Sequence, residues 1–468
     1  MKRVFSLVLS LLMILSLALG MTACLGETGG ETGGETGGET GGETGGETGG
    51  ETGGETGGET GGETGGETGG ETGGETGGET GGETGGETGG ETGGETGNTE
   101  TPAAPAIELT YQLSEDGSYY IVTGGKNIAG VLVIPETYEG KPVKEIGWRA
   151  FSDTLTLKEL VLPDSITTIG DSAFVGCRGL ARITLGKGLT ALDEYCFNDC
   201  AVVEIYNRSS IPMVAGGEGY LQYNAKHIYG EGGESRITRD GGYMVYTEGD
   251  CKLLLGYLGT ETKLTLPAGI TEIGKYAFTR SKITEISVPD SVKVLGEGAF
   301  SSCFYLTKVT VGAGITVLPD YTFSGCMQLT SVILPDGLTT IERFVFSSCR
   351  ALESITLPDS VTEIGMDAFS SCAVLKSVDL GAGLKKLHDN VFYDCAALEE
   401  ITLPASLTVI YEKVFSKCSS LTRVIFEDTN GWTINQNPID PAVFETPEAA
   451  AEALKNIYGN RIWVKKTA

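Results

Sequence analysis

Leu352-Glu353-Ser354-Ile355-Thr356-Leu357-Pro358, followed by Val361, Ile364, Phe369 and Cys372, decides the fold, because the same spacing returns every 23 residues. Phe300, Phe323, Phe346, Phe369, Phe392 and Phe415 mark the period, and Phe151, Phe174 and Phe197 mark an earlier block with the same step. A cysteine follows most of them by three residues: Cys177, Cys200, Cys303, Cys326, Cys349, Cys372, Cys395 and Cys418. Within the unit, the segment ending in Leu357 alternates apolar and polar residues as a half-buried strand does. Leu329-Val332-Leu334, Leu375-Val378-Leu380 and Leu398-Ile401-Leu403 keep the register. A Pro-Asp or Gly-Ala turn ends each strand, and a second apolar pair such as Val361 and Ile364 precedes the next Phe. One such unit cannot bury its leucines alone; stacked units share a continuous core and pair their strands in a parallel sheet. The expected architecture is a β-rich solenoid of short parallel strands, with Phe packed on the convex side of the core and Cys forming an inward ladder.

Spaced leucines around a short strand are the leucine-rich-repeat signature. The variant with Leu-Pro-Asp-Ser (357–360), Ile-Gly (364–365), Ala-Phe (368–369) and Cys372 resembles the BspA-type, or Treponema-type, leucine-rich repeat. The resemblance covers most of residues 107–468, and about ten units agree. Residues 107–134 look like that family's opening segment, and Glu139-Gly140-Lys141-Pro142-Val143 lengthens the first turn as often happens there. The resemblance implies a surface lipoprotein, with adhesion to host or microbial surface proteins in some members.

The register fails between Tyr206 and Lys263, since Phe197 and Phe278 are 81 residues apart. Two repeat blocks are therefore expected: 107–206 with an N-terminal cap, and 264–426. They flank a β-rich insert at 207–263, an interruption that also recurs in the resembling family. Asp240-Gly241-Gly242 between Arg236-Ile237-Thr238 and Tyr243-Met244-Val245-Tyr246 reads as a hairpin. The insert's Tyr220, Tyr223, Tyr229, Tyr243, Tyr246 and Tyr257 form either a contact surface or a cover over the open ends of the blocks. After Phe426 the repeat stops. Thr446 then Pro447 starts a helix and Gly459 stops it, placing Ala450, Leu454 and Ile457 on one face. With Trp432 and Trp463, residues 427–468 read as a small helical cap for the last coil.

Upstream lies different material. Lys2 and Arg3 precede an apolar run from Val4 to Leu19 that ends in Met21-Thr22-Ala23-Cys24. A charged start, an apolar stretch and small residues before a cleavage point make a signal peptide over 1–23. The cysteine placed directly after them resembles the lipobox of bacterial lipoproteins. That resemblance implies cleavage before Cys24 and lipid attachment to its sulfur; two or more acyl chains anchor stably where one does not. Residues 24–106 are the lipid-bearing cysteine and a spacer. From Glu27 to Gly97, Glu-Thr-Gly-Gly repeats without error. Half of it is glycine and no large apolar residue is present, so burial cannot offset the entropy of ordering. A disordered, self-repelling tether is expected, spanning roughly 45 Å as a coil and roughly 240 Å at full extension. Either it lifts the repeats off a membrane or it is a repeat expanded without a demanding role.

The net charge of -30 is partly that spacer's. Residues 1–100 hold 19 of the 63 acids and 2 of the 33 bases, leaving 44 acids against 31 bases for the rest. A net of -13 there argues against a phosphate backbone as partner and against attraction to anionic lipid. The ladder cysteines have no Cys-x-x-Cys spacing, and the closest pair, Cys196 and Cys200, has no nearby histidine, so neither a metal site nor a cofactor is expected. Parallel neighbours place their side chains in the same direction, which suits disulfides poorly. The two histidines, His227 and His388, fall in no catalytic motif, and no catalytic residue is expected. Alternation along the strands places Arg182, Thr184, Glu285, Ser287, Lys308, Thr310, Ser331, Ser354, Thr356, Ser377, Asp379, Glu400, Thr402 and Arg423 on the concave face. Such a face either binds a partner or merely carries residues that suit an exposed sheet. The partners expected are the membrane, through a lipid anchor at Cys24, and a protein or, alternatively, a glycan captured at the cell envelope. Nucleic acid is not among them, and the chain is expected to be monomeric and surface-exposed.

Overall fold

A computed structural model describes residues 106–466 apart from Glu194 and Tyr220. The signal peptide, Cys24, the Glu-Thr-Gly-Gly spacer and Tyr220 lie outside the described residues. The chain is a β-solenoid of about 13 turns.

Three sides join successive coils, with interruptions on the first two. The first side carries the strand foreseen around the central Ile or Val. In the N-terminal block, Gly130–Val133, Leu157–Val161, Arg182–Leu185, Glu204–Asn207 and His227–Tyr229 pair in parallel, in that order. In the C-terminal block, Lys263–Thr265, Glu285–Ser287, Lys308–Thr310 and Ser331–Ile333 do the same. Ser354–Thr356 then pairs with Ser377–Asp379, and Glu400–Leu403 with Arg423–Phe426. The second side is a parallel ladder of two-residue strands at the second apolar pair: Val317–Leu318, Thr340–Ile341, Glu363–Ile364, Lys386–Leu387 and Val409–Ile410. The third side runs through the Phe positions. The amide of Phe323 donates to the Val345 carbonyl at 2.9 Å, and the amides of Phe346, Phe369 and Phe392 repeat this to Ala368, Val391 and Val414 at 2.7–2.9 Å.

Between the three sides lies the core. Phe278, Phe300, Phe323, Phe346, Phe369, Phe392 and Phe415 are each at most 1 % exposed. Their rings stack at centroid distances of 5.1–5.6 Å. The cysteines line the same column and do more than fill space. Each thiol donates to the Phe carbonyl of the previous coil: Cys326 to Phe300 at 3.2 Å, Cys372 to Phe346 at 3.1 Å, Cys418 to Phe392 at 2.9 Å. A buried carbonyl keeps a second partner this way. Burial raises the pKa of Cys326, Cys349, Cys372, Cys395 and Cys418, pushing Cys372 and Cys418 up to about 12. The residue before each ladder cysteine is left-handed, with φ of 56–61° at Ser302, Ser348 and Ser371; Gly325 holds that place at 73°.

The N-terminal block reaches further than its leucine pattern. His227 sits 23 residues after Glu204 and pairs with it, so the ladder extends one coil past Tyr206 into the expected insert. Beyond it, Ile237–Asp240 and Tyr243–Glu248 form the foreseen hairpin. Gly241 and Gly242 take φ of 53° and 82°, the doubly left-handed turn that matches strand twist. Cys251–Tyr257 adds a third strand and pairs in parallel with Glu272–Ile273, which starts the next ladder. Tyr229, Tyr243 and Tyr246 are buried. Met244 and Tyr246 pack on Ala181 and Val203 of the N-terminal block. These three tyrosines are core, not a contact surface; among the described tyrosines of that group, Tyr223 is exposed.

The C-terminal cap follows its start signal, but Ala450 and Leu454 are buried while Ile457 is exposed, because the helix widens into a π turn over Ala453–Ile457. Pro447–Glu452 is helical, and the Thr446 hydroxyl accepts from the Ala449 amide at 3.1 Å, satisfying an orphan donor of the first turn. Trp463–Lys465 pairs antiparallel with Val409–Ile410 and closes the two-residue ladder. Trp463 is fully buried against Phe426, Phe444 and Tyr458. Trp463→Ala is expected to cost about 3–5 kcal/mol, the usual range for removing a buried large aromatic. A lower thermal midpoint, with increased binding of a hydrophobic dye as the last coil opens, checks this. Among the described residues, no helix is long and apolar enough to cross a membrane.

Candidate functional site

The face of the three-residue strands carries the residues expected to bind. In the C-terminal block the alternation holds. Ile286, Val309, Ile355, Val378, Ile401 and Val424 point inward and are buried, while Ser287, Lys308, Ser354, Thr356, Ser377, Asp379, Glu400, Thr402 and Arg423 are exposed. Glu285, Thr310 and Ser331 are half-buried on the same face. Ile333 is half exposed beside them.

The N-terminal block does not continue this face. Thr184 is buried, and Arg182 is half covered. The Arg182 guanidinium lies 3.7 Å from Glu159 and 3.5 Å from Glu204, and donates to the Tyr229 hydroxyl at 2.8 Å. Glu204, itself fully buried, accepts from the Ser235 hydroxyl at 2.6 Å and the Arg236 amide at 2.8 Å. Arg239 pairs with Glu159. The hairpin therefore covers this part of the sheet, and its polar groups satisfy the charges beneath it. Arg182 and Thr184 are structural. Alternation alone could not reveal this, because the covering strands come from outside the repeat.

The junction holds a second unanticipated group. Lys158 is buried, and its ammonium donates to the Tyr276 carbonyl at 2.6 Å, tying the N-terminal block to the first coil of the C-terminal one. Burial pushes its pKa down to about 7. Arg178 reaches the Tyr276 hydroxyl at 3.0 Å, and that hydroxyl donates to Glu297 at 2.8 Å.

The exposed face has one pronounced depression. A groove of about 640 Å³ is bounded by Ser354, Thr356, Asp359, Ser377, Asp379, Glu400, Thr402 and Glu427, with Ile355, Val378 and Ile401 at its floor. Six of the anticipated residues meet there. A smaller apolar hollow of about 160 Å³ lies at Leu192, Cys196, Ile211, Met213 and Leu221. His388 is remote in role from any cysteine or second histidine: it contacts Glu363 at 2.5 Å and stacks on Tyr411 at 4.6 Å. Among the described residues, no group of three or more His, Cys, Asp or Glu side chains is placed to hold a metal ion.

Comparison with known proteins agrees with this architecture. The family described as BspA type leucine-rich repeat region matches in six copies, over residues 142–215, 258–373 and 339–439. A search of curated proteins finds no match. Thirteen chains of solved structures match. A leucine-rich repeat protein from Bacteroides ovatus is 22% identical, covering 69% of this chain and 98% of its own, with a TM-score of 0.31. The leucine-rich repeat protein of T. pallidum is 24% identical over 69% of this chain and 90% of its own, with a TM-score of 0.21. A leucine-rich cell surface protein from Faecalibacterium prausnitzii is 18% identical over 70% and 97%, with a TM-score of 0.29.

Proposed function

Because the chain belongs to the BspA-type leucine-rich-repeat family, we propose that it is a cell-surface lipoprotein that holds a protein ligand on the exposed face of its C-terminal block. The observation that carries this reading is the run of solvent-facing Ser, Thr and charged residues from Ser287 to Arg423, borne on a stacked core and deepened into a groove at Ser354–Thr402. Solenoids use such broad faces for macromolecular partners. In this reading Cys24 carries the lipid, and the Glu-Thr-Gly-Gly spacer sets the face away from the membrane.

Two measurements test the reading. Cys24→Ala is expected to move the protein from the membrane fraction to the medium and to remove the mass of the lipid; membrane retention of that variant contradicts the anchor. The full chain, screened against extracellular-matrix proteins and a glycan array, is expected to show saturable binding to a protein. Saturable glycan binding with no protein ligand replaces adhesion with glycan capture at the envelope.

A further inference from the structure

One buried amine joins the two blocks and the segment between them. Lys158 precedes Glu159 as Ala181 and Val203 precede Arg182 and Glu204, the paired residues of the next two coils. Ala181 and Val203 pack on Met244 and Tyr246. The longer Lys158 side chain passes between two glycines instead. A Cβ on Gly179 would lie 2.8 Å from its Nζ, and one on Gly256 would lie 3.1 Å from its Cδ. Gly179 belongs to the N-terminal block and Gly256 to the Cys251–Tyr257 strand. The amine ends on the Tyr276 carbonyl at 2.6 Å, in the first coil of the C-terminal block. The Thr279 amide also donates to that carbonyl, at 3.2 Å, so the carbonyl keeps a partner when the amine leaves.

Among the described residues no carboxylate meets this amine. Glu159, next in the chain, turns to Arg182 and Arg239. The Tyr276 hydroxyl is held by Arg178 and Glu297, and Lys275 pairs with Glu297 at 3.6 Å. Cys177 donates to the Phe151 carbonyl at 3.1 Å, and Cys251 contacts Glu272 at 3.6 Å. The Tyr257 hydroxyl accepts from the Glu261 amide at 3.1 Å, Lys252 sits by Gly269, and Arg280 is exposed. The Cys303 thiol is the titratable group that acts on the amine, and it donates to the Phe278 carbonyl at 3.0 Å. A neutral amine suits this site, because it can still donate to Tyr276. An ammonium brings a charge without a counter-ion, which burial penalises.

We propose that Lys158 is a pH-sensitive clasp: neutral, it holds the N-terminal block against the first coil of the C-terminal block, and protonated, it leaves for water and frees the two blocks to part. Parting exposes the small apolar cluster of Met244, Tyr246, Leu253 and Leu255 against Ala181 and Val203, and leaves the two large cores intact. Burial sets the pKa of the closed clasp at about 7, against about 10.4 for a solvated lysine. The open state therefore binds the extra proton. Opening is suppressed as pH rises from the closed value toward the open one; it grows as pH falls and levels off below about pH 6. Between pH 8 and pH 6 the open fraction rises about tenfold.

Met244 reports the opening, since it is fully buried in that cluster and its conversion to the sulfoxide by hydrogen peroxide needs access to the sulfur. The full chain is treated with peroxide and its peptides are read by mass spectrometry, with the exposed Met327 as reference. Oxidation of Met244 relative to Met327 is expected to be about tenfold faster at pH 6 than at pH 8. Lys158→Met, which fills the passage with an apolar side chain of similar length, is expected to remove that step, and Cys303→Ala to keep it. Equal rates at the two pH values in the unsubstituted chain overturn the proposal, and this outcome decides even where Lys158→Met fails to fold. A step that survives Lys158→Met, or one lost in Cys303→Ala, belongs to another group and overturns it too. So does amide exchange over residues 354–403 that rises by the same factor, corrected for the intrinsic rate, because the whole chain is then unfolding. The binding face and the lipid anchor stand or fall on their own tests.

Discussion

Raising the pH from 8 to 10 is expected to unfold the protein under reducing conditions. The cause is the thiol column. Burial raises the pKa of Cys196, Cys200, Cys326, Cys349, Cys372, Cys395 and Cys418, with Cys196, Cys372 and Cys418 reaching about 12. In the unfolded chain a thiol ionises near 8.5. Each of the seven therefore keeps its proton in the folded state where the unfolded state has lost it. Stability from this source is complete below about pH 8.5 and falls as pH rises toward the folded values. By pH 10 the loss is about 2 kcal/mol for each of the three thiols held near 12, about 6 kcal/mol together, and Cys200, Cys326, Cys349 and Cys395 act in the same direction. That alone reaches the range of an ordinary domain's whole stability, about 5–15 kcal/mol. Lys158 acts in the opposite direction, as does Cys303, whose pKa burial raises but hydrogen bonds with Cys326 and Ser281 bring below the ordinary value. The folded pKa of Lys158, about 7, lies below its unfolded value, so it adds stability as pH rises between the two. One amine restores about 4 kcal/mol at most by pH 10, so the thiols decide the sign. Circular dichroism of a Cys24→Ala chain against pH is expected to show a steep loss of signal below pH 10. Replacing Cys349, Cys372 and Cys395 by alanine lowers stability at pH 7 but flattens this dependence by three protons. A structure intact at pH 10.5 contradicts it.

Phe346→Ala is expected to cost about 3–5 kcal/mol, with a further contribution of about 1 kcal/mol from lost ring stacking. Phe346 is fully buried, between Phe323 at 5.5 Å and Phe369 at 5.1 Å. Its neighbours above and below are held by the two-residue ladder and by the amide bonds of Phe323 and Phe346, so the void cannot collapse easily. Because each coil touches mainly the next, the damage stays local and uncouples the coils before it from those after it. The expected result is a second, earlier transition in urea, with proteolytic cleavage near residues 344–349. Phe346→Leu, which keeps most of the volume, is expected to cost less than half as much. A single unshifted transition contradicts the shared column.

The 23-residue step, the hairpin at Asp240–Tyr243 and the cap at Thr446 were legible because each rests on local chemistry: spaced apolar side chains, two left-handed glycines, a hydroxyl accepting an amide. The two-residue ladder through Ile341, Ile364 and Leu387 showed only as an apolar pair, since two residues are too few to display alternation. The coil at His227–Tyr229 escaped because Ala225 and Gly230 stand where the flanking leucines would be, although Ile228 and the 23-residue step from Glu204 persist. The thiol-to-carbonyl bonds depend on the offset between coils and leave no trace in composition. The exposed half of the candidate face followed from strand alternation. Its limit at Arg182 and Thr184 did not, because a hairpin from another part of the chain covers them.

Counting reactive thiols tests most directly whether Phe, Leu and Cys share one interior column. In a reduced Cys24→Ala chain at pH 7.5, an aromatic disulfide reagent is expected to titrate Cys251 alone, the one described cysteine that is not buried. After unfolding in guanidinium without reductant, all ten remaining cysteines are expected to react. Fast reaction of the cysteines at the repeat position in the folded protein would place them on the surface, and fewer than ten thiols after unfolding would mean they are bridged; either result contradicts the stacked column.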